Sequence, residues 1–330
     1  MSRKNFWHWK GEIKMYAVGA DIGGTAVKIG ILNEDGKIIA KSQIPTRQDN
    51  KCGFVLKDTA DEIKRLMEEN KIEPENTAGI GIGIPGPVAD GIVKHCVNLY
   101  WEDSVDAAAI MEKLTGIRSV VLNDANAAAL GEQWMGGGKG HSSMVLVTIG
   151  TGIGGGIVID GNVLTGSGGA GGEIGHIVVD YDSKRKCNCG RYGCLETYAS
   201  ATGIVRTAVE LLEKDSRPSV LRNTEVTAKA VFDAAENNDE TALKTVDIFG
   251  RYLGRALANI AAVVDPEVIV LAGGVVKGGE KVRRPVDKYY RESAFKSVKG
   301  TKIVLAELEN DAGIFGAARE AFKTRKEKII

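Results

Sequence analysis

The sequence predicts an α/β protein made of two related lobes, and three observations carry that expectation. At 330 residues the chain holds about two domains of roughly 150 residues each. Short apolar runs bounded by turn residues alternate with segments of helical spacing. A strand–turn–strand device, Ile22-Gly23-Gly24-Thr25, returns in the second half of the chain as Ile149-Gly150-Thr151-Gly152. Two such glycine turns can recur by chance, but the shared flanking strands favour a duplicated lobe.

In chain order, Met15 to Asp21 reads as a buried strand, Ala26 to Leu32 as a second, and Lys37 to Ile44 as a third after the turn Asn33-Glu34-Asp35-Gly36. These make a β-meander. Phe54, Leu56, Ile63 and Leu66 sit at helical spacing, and Gly79 to Ile84 is a short strand running into Pro85-Gly86-Pro87. Val120 to Leu122 is a strand and Ala127 to Gln133 a helix, joined through Asn123-Asp124-Ala125-Asn126. Ser143 to Ile149 and Ile153 to Ile159 form the second hairpin, closed by Asp160-Gly161-Asn162, while the glycines of 136–140 read as a turn. Helical patterns dominate from Tyr198 to Val264; Val268 to Ala272 and Ile303 to Leu305 are strands, and Ala312 to Lys326 is a closing helix. The lobes are expected at 1–122 together with 312–330, and at 123–311, the last helix packing back on the first lobe.

Composition excludes several classes. Hydrophobic residues make up 43% and charged residues 26%, ordinary for a soluble globular chain and unlike disorder, collagen or coiled coil. Glycine is high at 42 residues against 7 prolines, which points to tight turns and close backbone approaches rather than linkers. Lys+Arg and Asp+Glu balance at 43 each, so the broad electrostatic footprint of a nucleic-acid or anionic-membrane binder is missing. No apolar run is long enough to span a bilayer, and MSRKNFWHWKGEIK lacks the features of a signal peptide, so a cytoplasmic location is expected.

Three segments can carry chemistry. In Asp21-Ile22-Gly23-Gly24-Thr25, paired glycines free backbone N–H groups to face phosphate oxygens, Thr25 adds a hydroxyl, and Asp21 can hold Mg²⁺ through water. An ordinary hairpin turn is the alternative. The second loop, Gly150-Thr151-Gly152, strengthens the phosphate reading because two such loops can grip one polyphosphate. Asn123-Asp124-Ala125-Asn126 places a carboxylate at a strand end before a helix. It is either a helix N-cap or a general base that takes a proton from a hydroxyl, oriented by Asn123 and Asn126. Finally, His176 with Cys187, Cys189 and Cys194 offers three thiolates and one imidazole, a closed tetrahedral zinc set. A disulfide fits poorly, since three clustered cysteines leave one over. Such a zinc is structural, and it pins Glu173 and Glu196 into one neighbourhood where they can accept hydrogen bonds from sugar hydroxyls. The other histidines, His8, His95 and His141, lack ligand spacing and read as surface or locally bonded groups. Cys52 and Cys96 read as buried or half-buried thiols, and the charged stretch 323–328 as a solvated helix face.

With these residues in place the chain resembles the ROK family of bacterial sugar kinases and repressors, most closely its glucokinases. The resemblance rests on DIGGT (21–25), IPGPV (84–88), LNDANAAALGE (122–132), TIGTGIGGGI (148–157), EIGH (173–176), CNCGRYGCLE (187–196) and LAGGVV (271–276), and runs from Met15 to about Phe322. It implies a duplicated actin-like, hexokinase-like (ribonuclease H-like) two-lobe fold with an interlobe cleft, and ATP-dependent phosphorylation of a hexose 6-hydroxyl with Mg²⁺. By the same resemblance Asp124 is the catalytic base, and Asn98, Asn123, Glu173, His176 and Glu196 contact the sugar. His176, Cys187, Cys189 and Cys194 are the zinc ligands. Gly23, Gly24, Thr25, Gly150, Thr151 and Gly152 form the phosphate loops, and Gly273 with Gly274 the turn beneath the adenosine. Members are commonly dimers or tetramers, so a homo-oligomer is expected.

Two positions and the opening segment depart from the pattern or refine it. Tyr100 stands where these glucokinases often have a smaller residue or Pro, and residues 1–14, with Trp7 and Trp9, lie outside the family pattern. Pro87 stands where N-acetylmannosamine kinases tend to place Arg, which favours glucose over an N-acetylated amino sugar. A sugar-sensing repressor is disfavoured because the segment ahead of Met15 is too short for a helix-turn-helix domain. Trp101 reads either as flanking the sugar or as a structural aromatic.

Overall fold

The computed structural model describes residues 14–326, so the expectations for Trp7, His8 and Trp9 lie outside the described residues. The predicted meander is present: β1 (Tyr16–Ile22), β2 (Ala26–Asn33) and β3 (Ile38–Pro45) pair antiparallel in sequence order. β3 alternates half-buried and exposed positions, the pattern of an edge strand with one face on the core. Helix α1 (Val55–Glu69) buries Leu56, Ile63, Leu66 and Met67 in the same core. Strand β4 (Thr77–Ile84), buried at every position, runs parallel to β1. A small antiparallel sheet follows, of β5 (Val88–Ala89), β6 (Ile92–Val93) and β7 (Val105–Asp106). Helix α2 (Ala107–Thr115) starts on an Asp106 cap that accepts from the Ala109 amide, and it ends at Gly116 in the left-handed region. β8 (Ser119–Asn123) then adds to β4 in parallel, giving the order β3-β2-β1-β4-β8.

Helix α3 (Asp124–Met135) leads to the second half, and begins at Asp124 rather than at Ala127, where the apolar pattern starts. There β9 (Met144–Ile149), β10 (Ile153–Ile159) and β11 (Asn162–Val163) form another antiparallel meander. The helical region resolves into α4 (Glu196–Ala199), α5 (Ala201–Lys214), α6 (Ala228–Glu236) and the 25-residue α7 (Glu240–Val264). β12 (Val268–Ala272), α8 (Glu280–Ser293), β13 (Lys302–Leu305) and α9 (Ala312–Lys326) complete the chain. β12 pairs parallel with both β9 and β13, so the order is β11-β10-β9-β12-β13. Both sheets therefore have the same topology, an antiparallel meander whose first strand continues into two parallel strands, which is the duplication hinted at by the glycine turns.

Two helices join the halves. α9 lies on β1 and β4 of the first sheet, α3 on β9 and β10 of the second, and the two helices pack on each other. Their backbones touch: a Cβ on Gly316 would fall 1.6 Å from the Ala127 carbonyl oxygen, and one on Gly131 2.0 Å from that of Ala312. Any side chain there would force the helices apart. Glu132, fully buried on α3, accepts from the amides of Gly137 (2.8 Å), Leu308 (2.9 Å) and Glu307 (3.1 Å), tying the end of α3 to the segment that leads into α9. Of the stretch 323–328 expected as a solvated face, the side chain of Lys326 and residues 327–328 lie outside what the structure describes, and the charged side chains that are described have partners. Lys323 donates to Asn162 and Arg325 to the Met15 sulfur, so both side chains are half-buried against neighbouring elements. No helix among the described residues is long and apolar enough to cross a membrane.

Candidate active site

Strand register assembles the first half of the site. Asp21 pairs with Gly83 of β4, and Gly83 with Leu122 of β8, so Asp21 and the Asn123-Asp124 pair flank β4 at the carboxyl end of the parallel strands. Open α/β sheets bind ligands at that end. Asn123 is the cap of α3: its Oδ1 accepts from the amides of Ala125 (3.0 Å) and Asn126 (3.2 Å), and its Nδ2 donates to the Gly86 carbonyl (3.1 Å). The capping role open to Asp124 in the sequence is thus taken by its neighbour. Asp124 is the first residue of the helix, half-buried, with Oδ1 accepting from the Ala125 amide at 2.9 Å. Burial raises its carboxyl above the ordinary 3.8, against the pull of the helix-terminal amides.

Asp21 is raised in the same way, chiefly by burial. Lys28, with Nζ 3.7 Å from Oδ2, pulls it back, and the negative charge of Asp124 pushes it up. The first turn of α9 closes over it, since a Cβ on Gly313 would lie 2.8 Å from the Asp21 Cγ. Two neighbouring carboxylates, hard oxygen donors, suit a divalent cation such as Mg²⁺. The β1–β2 turn beside them is pinned to the end of β3, Thr46 donating through Oγ1 to the Gly23 carbonyl (2.6 Å) and through its amide to the Thr25 carbonyl (3.0 Å). Thr25 itself is exposed. Gly24 admits the Asn98 segment, whose carbonyl oxygen is 3.0 Å from where a Cβ would sit. Asn98 and the following Tyr100, at φ 57°, are both exposed, whereas Trp101 packs against the first-lobe core.

The second half gathers around the β9–β10 turn. α5 begins against it: the Ala201 amide donates to the Gly150 carbonyl (2.8 Å) and Thr202 Oγ1 to that of Thr151 (2.8 Å). Gly273, at φ +95°, brings the turn after β12 onto the end of β9, where a Cβ would be 2.5 Å from the Ile149 carbonyl oxygen. Beside these turns opens a cavity of about 670 Å³ lined by Gly150, Thr151, Phe232, Asp233, Gly274 and Lys281. That volume suits a nucleoside.

Glu196 opens α4 and faces the same turn, with Oε2 2.8 Å from a Cβ position on Gly152. Its Oε1 accepts from the Cys187 thiol at 2.8 Å. Cys187 Sγ lies 3.6 Å from His176 Nδ1, Cys189 Sγ 3.7 Å from Cys194 Sγ, and all four donor atoms fall within 4.8 Å of one another. A tetrahedron with metal–sulfur bonds of about 2.3 Å and a metal–nitrogen bond of about 2.0 Å has donor separations of about 3.5–3.8 Å. The donor set fits zinc, and the sulfur separation is far beyond a disulfide bond of about 2.04 Å. With Nδ1 turned to the cluster, His176 presents Nε2 to Glu173, 4.0 Å from Oε2.

The expected residues thus form two groups, Asp21, Gly23–Thr25, Asn98, Asn123 and Asp124 in one, Gly150–Gly152, Glu173, His176, Glu196 and Gly273–Gly274 in the other. No hydrogen bond among the described residues joins them. Four positions escape the sequence reading: Lys28, Thr46, Gly86 and Gly313. Gly86 stands inside the IPGPV motif, but the others carry no local signal, because their roles come from strand register and from a helix at the far end of the chain. His141, as expected, is locally bonded, its Nδ1 lying 3.1 Å from Glu267.

The chain matches the ROK family over residues 17–323. It is 40% identical to a glucokinase of Halalkalibacterium halodurans over 91% of this chain and 92% of that one. Among solved structures it is similar to the ROK hexokinase of Thermus thermophilus (31% identity, TM-score 0.79, 95% of this chain and 100% of that one). It is also similar to a ROK family glucokinase of Streptomyces griseus in complex with glucose and AMPPNP (31% identity, TM-score 0.72, 93% and 99%).

Proposed function

We propose that this chain, which belongs to the ROK family and has its actin-like, hexokinase-like two-lobe fold, is a glucokinase that transfers the γ-phosphoryl group of ATP to the 6-hydroxyl of D-glucose. The single observation that carries the reading is the half-buried Asp124 carboxylate at the carboxyl end of β8, in a chain whose similarity to glucokinases spans nearly its whole length.

In the transfer, the glucose O6–phosphorus bond forms as the bond from phosphorus to the ADP oxygen breaks, and the hydroxyl proton passes to Asp124. The raised affinity of Asp124 for a proton suits it to that role. Asn98, Asn123, Glu173, His176 through Nε2, and Glu196 hold the sugar hydroxyls, so that O6 alone faces the base. Backbone amides of Gly23, Gly24, Gly150 and Gly152, with the hydroxyls of Thr25 and Thr151, cradle the phosphates, and Gly273-Gly274 floors the nucleoside cavity. Asp21 would hold Mg²⁺, which would supply neutralisation of charge on the polyphosphate. His176, Cys187, Cys189 and Cys194 hold a structural zinc whose task is to fix Glu173, His176 and Glu196.

We place the protein in the cytoplasm at the head of glycolysis, as a dimer or tetramer whose partners are sugar and nucleotide rather than nucleic acid or membrane. The test is sugar-dependent ADP release with Mg²⁺ and ATP over glucose, mannose, fructose, N-acetylglucosamine and N-acetylmannosamine. Preference for glucose is the expected result. Preference for an N-acetylated sugar would keep the chemistry and overturn the substrate.

A further inference from the structure

We propose that the outer face of the α4–α5 unit carries a second ligand site, which binds a small phosphate-bearing anion and is coupled to the sugar and nucleotide sites; the coupling rests on the function proposed above. A cavity of about 500 Å³ lies between the segment after Asp180, α4, α5 and α7. Five cations line it, Lys184, Arg185, Arg206, Lys214 and Arg251, against two carboxylates, Asp180 and Glu210. Both carboxylates are already engaged. Asp180 accepts from the hydroxyls of Tyr198 (2.6 Å) and Tyr252 (3.2 Å), and Glu210 accepts from Arg185 (2.7 Å) and Arg206 (2.9 Å). Lys184 and Lys214 have no hydrogen bond or ion pair among the described residues, and the contact of Arg251 is with the Tyr252 ring at 5.8 Å. In a chain of zero net charge this is a local positive excess in a concave surface.

The inner wall is rigid. Arg185 is only 8% exposed; its Nη1 donates to the Thr197 carbonyl and to Thr207 Oγ1, both at 2.9 Å, and its guanidinium lies 4.3 Å over the Tyr198 ring. Tyr198 stacks on Tyr252 at 4.1 Å. A guanidinium held in one orientation is suited to the oxygens of a phosphate. The volume admits a metabolite and not a macromolecule.

The wall is also connected. Thr197 follows Glu196 on α4, and α5, which contributes Arg206 and Glu210, begins on the Gly150 and Thr151 carbonyls. Arg206 lines a neighbouring cavity together with Gly152, Cys187 and Glu196. An anion held against the fixed Arg185 and drawing the more exposed Arg206 away from Glu210 therefore acts on the elements that hold both substrates, and occupancy of either site changes affinity at the other.

The test is calorimetric titration of the full-length protein, saturated with glucose, Mg²⁺ and a non-hydrolysable ATP analogue so that the phosphate turns are filled. Inorganic phosphate and glucose 6-phosphate are the two probes, and the tighter one identifies the source of the anion. The comparison is the double variant Lys184→Glu/Lys214→Glu, two exposed positions outside the catalytic machinery. Saturable binding to the wild type, weakened about tenfold or more in the variant while its anion-free kcat and KM are unchanged, is the expected result. The apparent KM for glucose should shift about fivefold with the anion in the wild type alone. Absence of binding by both probes, or equal binding by the variant, would overturn the site, and binding without a KM shift would overturn the coupling. Heat of binding does not depend on turnover, so failure here is distinguishable from failure of the kinase reading.

Discussion

Asp124 sits where a carboxylate is costly to keep charged, and its stability consequence follows from that. Burial raises its folded-state pKa above 3.8. Its contribution to stability is therefore complete below the unfolded value and is lost as pH rises through the folded one, because the charged form must then be desolvated. Asp124→Asn removes the charge and keeps an acceptor for the Ala125 amide. We expect the variant to melt higher than the wild type at neutral pH, by on the order of a degree or two, with the gap closing in melts run towards the ordinary carboxylate range. An unchanged gap across that range would separate Asp124 from the desolvation argument. At this scale the sequence is informative about residue type and less so about assignment. The Asn-Asp pair falls between strand and helix as its pattern implies, but whether Asn123 or Asp124 caps α3 depends on backbone geometry at Asn123, whose extended φ of −60° and ψ of 145° puts its side chain over the helix amides.

At the scale of elements, the loop that carries the His176–Cys194 cluster and the two joining helices matter most. The loop that runs from Glu173 to Glu196 has little regular structure, two isolated bridges, Val178–Cys194 and Lys186–Tyr192, and one short turn at Ile174–His176, and is held by backbone bonds such as those from the Val179 amide to Gly193 and from the Leu195 amide to Ile177. A zinc held by His176, Cys187, Cys189 and Cys194, as proposed above, would add a constraint across it. Cys189→Ala should lose the zinc by elemental analysis and raise KM for glucose about tenfold or more, while KM for ATP stays within about twofold. Loss of the metal with glucose KM unchanged would break the link between the cluster and the sugar carboxylates. Most elements are legible because their signals are local: the meander from apolar runs and turn residues, the cluster from ligand spacing. The start of α3 at Asp124 is not, because the apolar pattern begins only at Ala127 and the first turn is held by a cap rather than by burial.

At the scale of the whole molecule, the duplication explains why the two glycine turns exist as a pair. Each is the first hairpin of a β3-β2-β1-β4-β8 type sheet, and α3 and α9 hold the two sheets together through glycine-to-backbone contacts. That contact is not legible in the chain alone, since Gly131 and Gly316 are far apart in sequence and meet only once both sheets have formed. The residues proposed for catalysis and binding lie in two sets, with no hydrogen bond between them among the described residues, so glucose is expected to bring the sets together and exclude water before transfer. Accordingly, ADP release without sugar should be negligible beside the glucose-dependent rate. Comparable rates with and without glucose would mean that the lobes are competent without closing.

Whether Asp124 takes the proton from the sugar hydroxyl is read from kcat of Asp124→Asn measured alongside its glucose affinity by calorimetry. A fall in kcat of about 10²–10⁴ is expected, with affinity within about threefold of the wild type. Turnover near the wild-type rate in a variant that still binds glucose would contradict it.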